Sequence, residues 1–401
     1  MSNRYDLIII GGGLGGSTLA YALSKEGFKI LVLERTRQFR DRVRGEQLHP
    51  WGVAELKALG LYDLLMAACG HELPWFDIYI NDQPAGHRNL IKTTAQQAPE
   101  VSFYHPHMQD LFLQAAIDAG AEVRRDLRVT GFELGTAPRV SSLEQGKTHD
   151  YEARLVVGAD GRNSSVRKRA GFEQRRDPEH PYDMAGVLLD NVPIDETTSV
   201  FAINPDIGTA VILFPQGKGR VRAYLPHQKS SQYNFGATDG LKDFFRLAAR
   251  PAAPSEIFAA ATAAGPLATF DTTNTWVDHP YKTGIVLIGD AAATNDPCFG
   301  EGLSLTLRDV RVLRDALIQH DDWQLAGHAY AEAHDRYWTN LHEATNCIHQ
   351  LLYEHSAEGE ERRAQALPLI AQDRTRFPDH LFSGPDEPFT ELERRRLFGE
   401  I

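Results

Sequence analysis

The 401-residue chain has only three cysteines, Cys69, Cys298 and Cys347, and they lie far apart. An odd number at wide spacing indicates neither a disulfide framework nor a zinc motif, and it favours a reducing, cytoplasmic compartment. Long apolar runs are also lacking. The apolar run at residues 7–10 stops at a series of glycines, so a signal peptide or a membrane span is not expected.

Positive charge is in deficit, because 42 Lys and Arg face 54 Asp and Glu and leave a formal net charge of −12. Such a chain repels a phosphate backbone, so nucleic acid is not expected as a partner. Hydrophobic residues at 42% and charged residues at 24% are typical of a soluble globular protein. At about 150 residues per domain, the length suggests two to three domains. A homodimer is compatible with this sequence.

The amino-terminal segment alternates between strand and helix. Residues 7–10 are a continuous apolar run that predicts a strand buried on both faces, and residues 17–25 predict a helix that ends at Gly27. Residues 30–33 predict a second buried strand, closed by Glu34. This order predicts an α/β fold with a parallel, Rossmann-like sheet.

The remaining pattern predicts that this first domain is discontinuous. Helices are expected within 50–69 and over 108–119, with strands at 76–80, 121–123, 154–158 and 285–288. Alternation within 180–275 indicates antiparallel strands, and helices dominate after residue 303. We therefore expect a dinucleotide-binding domain (1–70, 100–175 and 275–320), an inserted, mainly antiparallel substrate domain (71–99 and 176–274), and a C-terminal helical region (321–401). The last 50 residues or so are charge-rich and are expected to wrap the surface.

A glycine turn follows the first strand. Gly11, Gly13 and Gly16 match G-x-G-x-x-G, in which the glycines allow a tight turn, a close approach of pyrophosphate, and close packing of helix on strand. The pyrophosphate then binds at the helix N-terminus. Glu34 is placed for a ribose hydroxyl and would repel a 2′-phosphate, so the turn predicts FAD or NAD rather than NADP. The residues expected at this dinucleotide are Gly11, Gly13, Leu14, Gly15, Gly16, Glu34 and Arg35.

Two later segments carry a family resemblance. The segment G-A-D-G-R-N-S-S-V-R at 158–167 resembles the Asp-Gly motif of flavoprotein aromatic hydroxylases, and G-D-A-A at 289–292, with Asp296-Pro297 and G-E-G-L at 300–303, resembles their Gly-Asp motif. With the glycine turn, three motifs occur in the family's order. The chain thus resembles the class A, single-component FAD monooxygenases of the p-hydroxybenzoate hydroxylase fold.

The resemblance implies a tightly bound FAD and a transiently bound NAD(P)H. Asp290 would accept hydrogen bonds from ribityl or ribose hydroxyls, and the helix opened by 300–303 would face the pyrimidine end of the flavin. Arg44, in Arg44-Gly45-Glu46, would lie near the flavin and its pyrophosphate, while Asp160 and Arg167 would organise the phosphates and the approach of NAD(P)H. Either His105 or Gln109 would touch FAD. The further residues implied at the cofactor are Val129 (through its backbone, at the adenine), Pro297, Gly300, Gly302 and Leu303.

The sequence departs from the family at two positions. Ala293 stands where the family often has His, and Glu301 stands where it commonly has Gln. No catalytic acid or base is therefore assigned. Cys298 is interpreted as a small buried hydrophobe rather than a reactive thiol. His105-Pro106-His107 lacks accompanying ligands, so no metal site is expected.

The leading hypothesis is an NAD(P)H- and FAD-dependent monooxygenase that acts on a small, aromatic substrate through a flavin C4a-hydroperoxide. Phe201, Phe214 and Tyr224 are candidate pocket walls. The alternatives are a flavin-dependent halogenase, a geranylgeranyl-reductase-like oxidoreductase, and a non-catalytic FAD-binding protein. The halogenase Trp-x-Trp signature is missing from the sequence.

Overall fold

A computed structural model describes residues 4–43, 45–178, 181–230, 233, 235–236, 239–251 and 255–401. Arg44 lies outside the described residues, so its expected role stays a prediction.

The chain alternates strands and helices up to Gly158 and is mainly helical after residue 302. The strands are β1 (Arg4–Ile10), β2 (Ile30–Glu34), β3 (Gln47–Leu48), β4 (His71–Leu73), β5 (Trp75–Ile80), β6 (Gln83–Asn89), β7 (Glu100–Ser102), β8 (Glu122–Arg125), β9 (Arg128–Glu133), β10 (Arg139–Glu144), β11 (Lys147–Gly158), β12 (Arg175–Arg176), β13 (Tyr182–Asp190), β14 (Thr198–Asn204), β15 (Thr209–Pro215), β16 (Val221–Gln228), β17 (Thr262–Ala263), β18 (Ala268–Asp271), β19 (Thr275–Trp276), β20 (Tyr281–Lys282), β21 (Ile285–Leu287) and β22 (Ala293–Thr294). The helices are α1 (Leu14–Lys25), α2 (Pro50–Ala58), α3 (Tyr62–Ala68), α4 (Leu90–Thr93), α5 (His105–Asp118), α6 (Ser165–Arg169), α7 (Gly240–Ala248), α8 (Gly302–Gln319), α9 (Trp323–Leu352), α10 (Ala357–Gln372), α11 (His380–Ser383) and α12 (Glu391–Leu397).

The first large sheet has a parallel centre in the order β21-β11-β1-β2-β8. Its register places Ile8 of β1 between Val156 of β11 and Leu31 of β2. The apolar runs of β1 and β2 are buried on both faces, as a parallel sheet covered by helices requires. The carboxyl ends of β1, β2, β11 and β21 therefore meet at one edge.

The second large sheet is mainly antiparallel, in the order β17-β13-β16-β15-β14-β5-β6, with β18 also paired to β13 and one parallel pair between β14 and β5. Together, the two sheets confirm the predicted α/β fold class. The proposed domain boundaries stay a prediction.

Helix α7 lies in the region for which the sequence predicted strands. Its apolar residues Phe244, Leu247 and Ala248 are buried in a core that also contains residues of β13, β15 and β16. The prediction was wrong here because the alternating pattern on either side was extended across a segment with a helical period.

The C-terminal segment does more than cover the surface. Leu381 and Phe382 of α11 are buried in one apolar cluster with Phe214 and Tyr224 of the second sheet. The charged residues of this segment had suggested only a surface location, whereas its apolar residues close one side of a cavity. Within the described ranges, no helix combines the length and apolar character needed to cross a lipid bilayer.

Candidate functional site

One cavity of about 1980 Å³ opens at the carboxyl edge of the parallel sheet and extends beneath the second sheet. A single small-molecule pocket usually encloses about 300–1,000 Å³, so this cavity has room for a cofactor and a substrate together. The residues expected at the cofactor that line it are Gly11, Gly13, Glu34, Arg35, Gln109, Val129, Asp160, Asp290, Pro297, Gly300, Gly302 and Leu303. Leu14, Gly15 and Gly16 lie instead in the buried first turn of α1.

The glycine turn is packed too closely for side chains. Gly11 has φ +108°, and a Cβ there would lie 2.3 Å from the Ala159 carbonyl oxygen. A Cβ on Gly16 would lie 1.9 Å from the Gly11 carbonyl oxygen. The glycines therefore hold α1 close to β1, so the N–H groups at the start of α1 stand beside the cavity.

Glu34 is fixed by the turn that it faces. The Gly12 N–H donates to Oε2 over 2.7 Å, and the Thr36 N–H donates to Oε1 over 2.6 Å. The side chain is buried, yet it lines the cavity. A carboxylate with two oxygens can accept further hydrogen bonds, so Glu34 can receive a hydroxyl donor from the cavity.

Two charged residues of the Asp-Gly segment are held by hydrogen bonds to backbone groups. The Asp160 carboxylate accepts from the Ser165 N–H over 2.6 Å and thus caps α6. The buried Arg167 guanidinium donates to the Ala291 carbonyl over 2.9 Å and to the Arg162 carbonyl over 2.7 Å. Arg167 therefore joins the Asp-Gly segment to the backbone beside Asp290 rather than pointing into the cavity.

The Gly-Asp segment is held in place by hydrogen bonds that involve helices α8 and α9. The Gly289 N–H donates to Asp309 of α8 over 2.7 Å, and the hydroxyl of Tyr337 on α9 donates to the same carboxylate. These bonds fix the turn that places Asp290 on the cavity wall at the end of β21.

Helix α8 begins at the cavity. Gly300 has φ +73° and precedes the helix, while a Cβ on Gly302 would meet no atom within 4 Å. The open space beside Gly302 leaves the N–H groups of the first turn accessible to a ligand with negative charge.

His105 and Gln109, one turn apart on α5, both line the cavity. His105 Nδ1 contacts the Gly45 carbonyl oxygen, and burial lowers the pKa of this imidazole to about 4. A neutral His105 therefore holds the Gly45 loop, whereas Gln109 Nε2 lies beside Gly13, 3.5 Å from the position of a Cβ there.

A buried polar cluster, made of Gln47, His49, Glu100 and Glu301, was missed by the sequence interpretation. His49 Nε2 donates to the Phe299 carbonyl over 2.7 Å, and its Nδ1 lies 2.9 Å from Oε1 of Glu100. Gln47 Nε2 donates to the same Oε1 over 2.9 Å. The four residues come from separate segments of the chain, so no local pattern predicted that they would meet. The one sign in the sequence was Glu301, which stands where the family commonly has Gln.

A second buried network holds Asp41 and Glu46 against the second sheet. The Arg222 guanidinium on β16 pairs with Glu46 and with Asp41, and Gln216 also donates to Glu46. No pattern in the sequence indicated a role for Arg222, because its partners are distant along the chain. This network ties the cofactor side of the cavity to the second sheet.

The half of the cavity that lies beneath the second sheet is mainly apolar. It is lined by the three predicted walls and by residues from other elements: Phe76, Ile78, Ile80, Phe201, Ile203, Ile212, Phe214, Tyr224, Phe270, Phe377, Leu381 and Phe382. Arg88, at the same cavity, is paired with Asp379. Burial raises the pKa of the Cys298 thiol, which supports its interpretation as a small apolar residue.

These observations fit FAD. The turn at Gly11–Gly16 suits a pyrophosphate, Glu34 and Asp290 are acceptors for hydroxyls, and the start of α8 suits an electron-rich ring edge. The fold and site thus define an FAD-binding flavoprotein.

Comparison with known proteins gives the family. The family model described as FAD binding domain matches residues 4–351, and the chain belongs to this family. Digeranylgeranylglycerophospholipid reductase 1 of Methanococcoides burtonii is 26% identical over 76% of this chain and 72% of its own. Kynurenine 3-monooxygenase of Salinispora tropica is 25% identical over 91% and 86%. Squalene epoxidase 2 of Arabidopsis thaliana is 25% identical over 78%, although the chain spans only 54% of that protein.

Solved structures share the fold. p-Nitrophenol 4-monooxygenase PnpA of Pseudomonas putida has a TM-score of 0.81 at 15% identity, covering 96% of this chain and 100% of its own. PqsL of P. aeruginosa, in complex with 2-aminobenzoylacetate, has a TM-score of 0.73 at 20% identity and covers 95% and 99%. The flavin-dependent halogenase CmlS has a TM-score of 0.70 at 20% identity and covers 98% and 69%. The chain is accordingly an FAD-binding flavoprotein that shares the fold of FAD-dependent monooxygenases, in agreement with the predicted resemblance.

Proposed function

We propose that this protein is a monooxygenase that uses NAD(P)H and O₂ to hydroxylate or epoxidise a small, uncharged, aromatic or olefinic molecule. The observation that carries the proposal is the continuity of the cavity, in which the motif-lined half opens directly into an apolar half. A substrate in that half would lie against the cofactor and away from water.

The chemistry of the walls supports an apolar substrate. Phe214, Tyr224 and Phe270 form successive edge-on ring pairs with centroids 6.4 Å apart. The Arg88 side chain is neutralised by Asp379, so it does not present an unpaired charge to an anionic substrate. Aromatic walls bind flat apolar rings and alkenes by contact area rather than by charge.

FAD, once bound, would supply the redox chemistry and the activation of oxygen. The protein's own residues would hold it: the glycine turn at the pyrophosphate, Glu34 and Asp290 at hydroxyls, Gln109 and Val129 along its length, and α8 at the flavin. Only one dinucleotide turn was found in the sequence, so NAD(P)H would bind transiently. The domain boundaries, a cytoplasmic location and a homodimer are carried forward as predictions.

The test is anaerobic reduction of the purified holoprotein by NADH or NADPH, with a panel of phenols, anilines, indoles and alkenes. A substrate should accelerate flavin reduction or couple it to product, and one atom of ¹⁸O₂ should enter that product. A Phe214→Ala variant should lose this coupling while it keeps FAD. Flavin reduction without oxygen transfer to any compound would contradict the proposal.

A reductase is the second candidate. The chain resembles a digeranylgeranylglycerophospholipid reductase over 72% of that protein, and the long apolar half could accept an isoprenoid chain. The same assay distinguishes the two functions. A reductase would saturate an alkene anaerobically and would incorporate no ¹⁸O.

A further inference from the structure

Glu301 is an acid buried where the cofactor-facing helix begins. It occupies the N-cap position of α8, between Gly300 and Gly302, which both line the cavity, and it is fully buried. The Trp51 indole N–H donates to Oε2 over 3.2 Å. Oε1 accepts no hydrogen bond from the described part of the chain. One neutral donor is poor compensation for a buried carboxylate.

The only nearby cation in the cluster already has a partner. His49 Nε2 donates to the Phe299 carbonyl, so that nitrogen carries a proton. Its Nδ1 lies 2.9 Å from Glu100, whereas Nε2 lies 3.8 Å from Oε1 of Glu301. Glu100 also accepts hydrogen bonds from Gln47 and from Ser199, so its carboxylate is better compensated for burial than that of Glu301. Two acids face one cation, and Glu301 has the longer contact with it, 3.8 Å against 2.9 Å for Glu100.

Among the residues that the structure describes, the surroundings of Glu301 add no further unpaired cation. Arg308, about two turns along α8, packs 5.6 Å from the Trp51 ring but is paired with Glu55 and Asp386. Helix α11 contributes the Leu381 carbonyl, which accepts from Trp51, and the Phe382 ring, which packs edge-on against His49. Within the described ranges, the ionisable groups facing Glu301 are thus His49, which precedes α2, and Glu100 from β7.

We propose that Glu301 is the neutral acid of the resting protein and that its ionisation lowers the reduction potential of the bound FAD. The N-terminus of α8 favours negative charge on a reduced flavin, and a carboxylate at the N-cap would cancel that effect. A neutral Glu301 leaves the helix effect intact. The proposal rests on the placement of FAD in the proposed function and is independent of the substrate.

The pH dependence has a definite sign. Burial raises the pKa of the Glu301 carboxyl to about 8, although His49 and Trp51 oppose the shift. Burial disfavours the charge on His49, but Glu301 and Glu100 outweigh it and raise the imidazole pKa to about 9. As the pH rises through 8, Glu301 becomes an anion and reduction of the flavin becomes harder.

The test is the midpoint potential of the FAD holoprotein, measured by dye equilibration from pH 6 to 9.5. In the parent, the potential should fall more steeply above pH 8 than in E301Q, with an extra tenfold change in the redox equilibrium, or about 30 mV for two electrons. E100Q should move the steep region to lower pH, because His49 would then pair with Glu301. The double variant E100Q/E301Q should lack that region.

Each outcome is informative. FAD absorbance in E301Q shows that the variant folds and binds, so a potential profile identical to the parent's would overturn the proposal. Failure of the parent to bind FAD would instead overturn the placement of the cofactor. An unchanged profile in E100Q would show that Glu301 does not share His49 with Glu100, and this too would contradict the assignment.

Discussion

Replacing Glu34 by Gln should weaken FAD binding more than it weakens the fold. The carboxylate accepts two short bonds from backbone N–H groups and faces the cavity. A Gln amide retains one oxygen, so it can serve Gly12 or Thr36 but not both, and its NH₂ group would face a donor. Hydrogen bonds to charged groups contribute about 1.5–3 kcal/mol each. One such bond lost to the cofactor corresponds to an affinity roughly 10- to 150-fold lower.

The assay is a titration of apo-protein with FAD, followed by the quenching of flavin fluorescence, beside a thermal melt of the apo-protein. Glu26→Gln, at the exposed end of α1, is the matched control and should change neither quantity. A melting temperature that falls while the FAD dissociation constant stays within about twofold of the parent's would refute the reasoning. Glu34 would then only fasten the turn.

Three further outcomes are expected. Asp290→Ala should purify with far less than one FAD per chain, judged by flavin absorbance, because a hydroxyl acceptor at the cavity wall is lost; full occupancy would contradict that role. Gly16→Ala should lower the free energy of unfolding by about 1–3 kcal/mol or prevent folding, since its Cβ would lie 1.9 Å from a carbonyl oxygen. Gly131→Ala, which meets open space, should be silent in the same urea titration. Burial lowers the pKa of His105 from 6.5 to about 4. Between these two pH values the unfolded chain binds a proton that the folded protein does not, so the free energy of unfolding should fall as the pH drops from 6.5 towards 4. His105→Gln should flatten the plot of urea midpoint against pH. An equally steep loss of stability in this variant would contradict the role of His105.

The elements that the sequence predicted are those whose signals are local. The glycine turn, Glu34 and the start of α8 are each marked by a motif of a few residues, so the secondary structure around them could be predicted from the sequence. The amphipathic period of α7 was also present in the sequence. It was missed because strand alternation in the surrounding segments was weighted more heavily.

The polar cluster and the cavity walls could not be predicted in this way. Gln47 and His49 meet Glu100 and Glu301 only after three separate segments fold against one another. Ion pairs do not recur at a regular spacing along the chain. A buried partner from a distant segment therefore cannot be recognised from the local sequence pattern. The same reason hides the pairing of Arg222 with Glu46.

The C-terminal wall of the cavity has a consequence for how this scaffold can be diversified. The family model ends at residue 351, whereas Leu367, Phe377, Leu381 and Phe382 lie beyond it and line the apolar half. The glycine turn and Asp290 lie within the shared portion. Grafting a different terminal segment onto residues 4–351 would therefore reshape the end of the cavity that is proposed to receive the substrate. The residues expected to hold the nucleotide would keep their sequence and their neighbours in the parallel sheet.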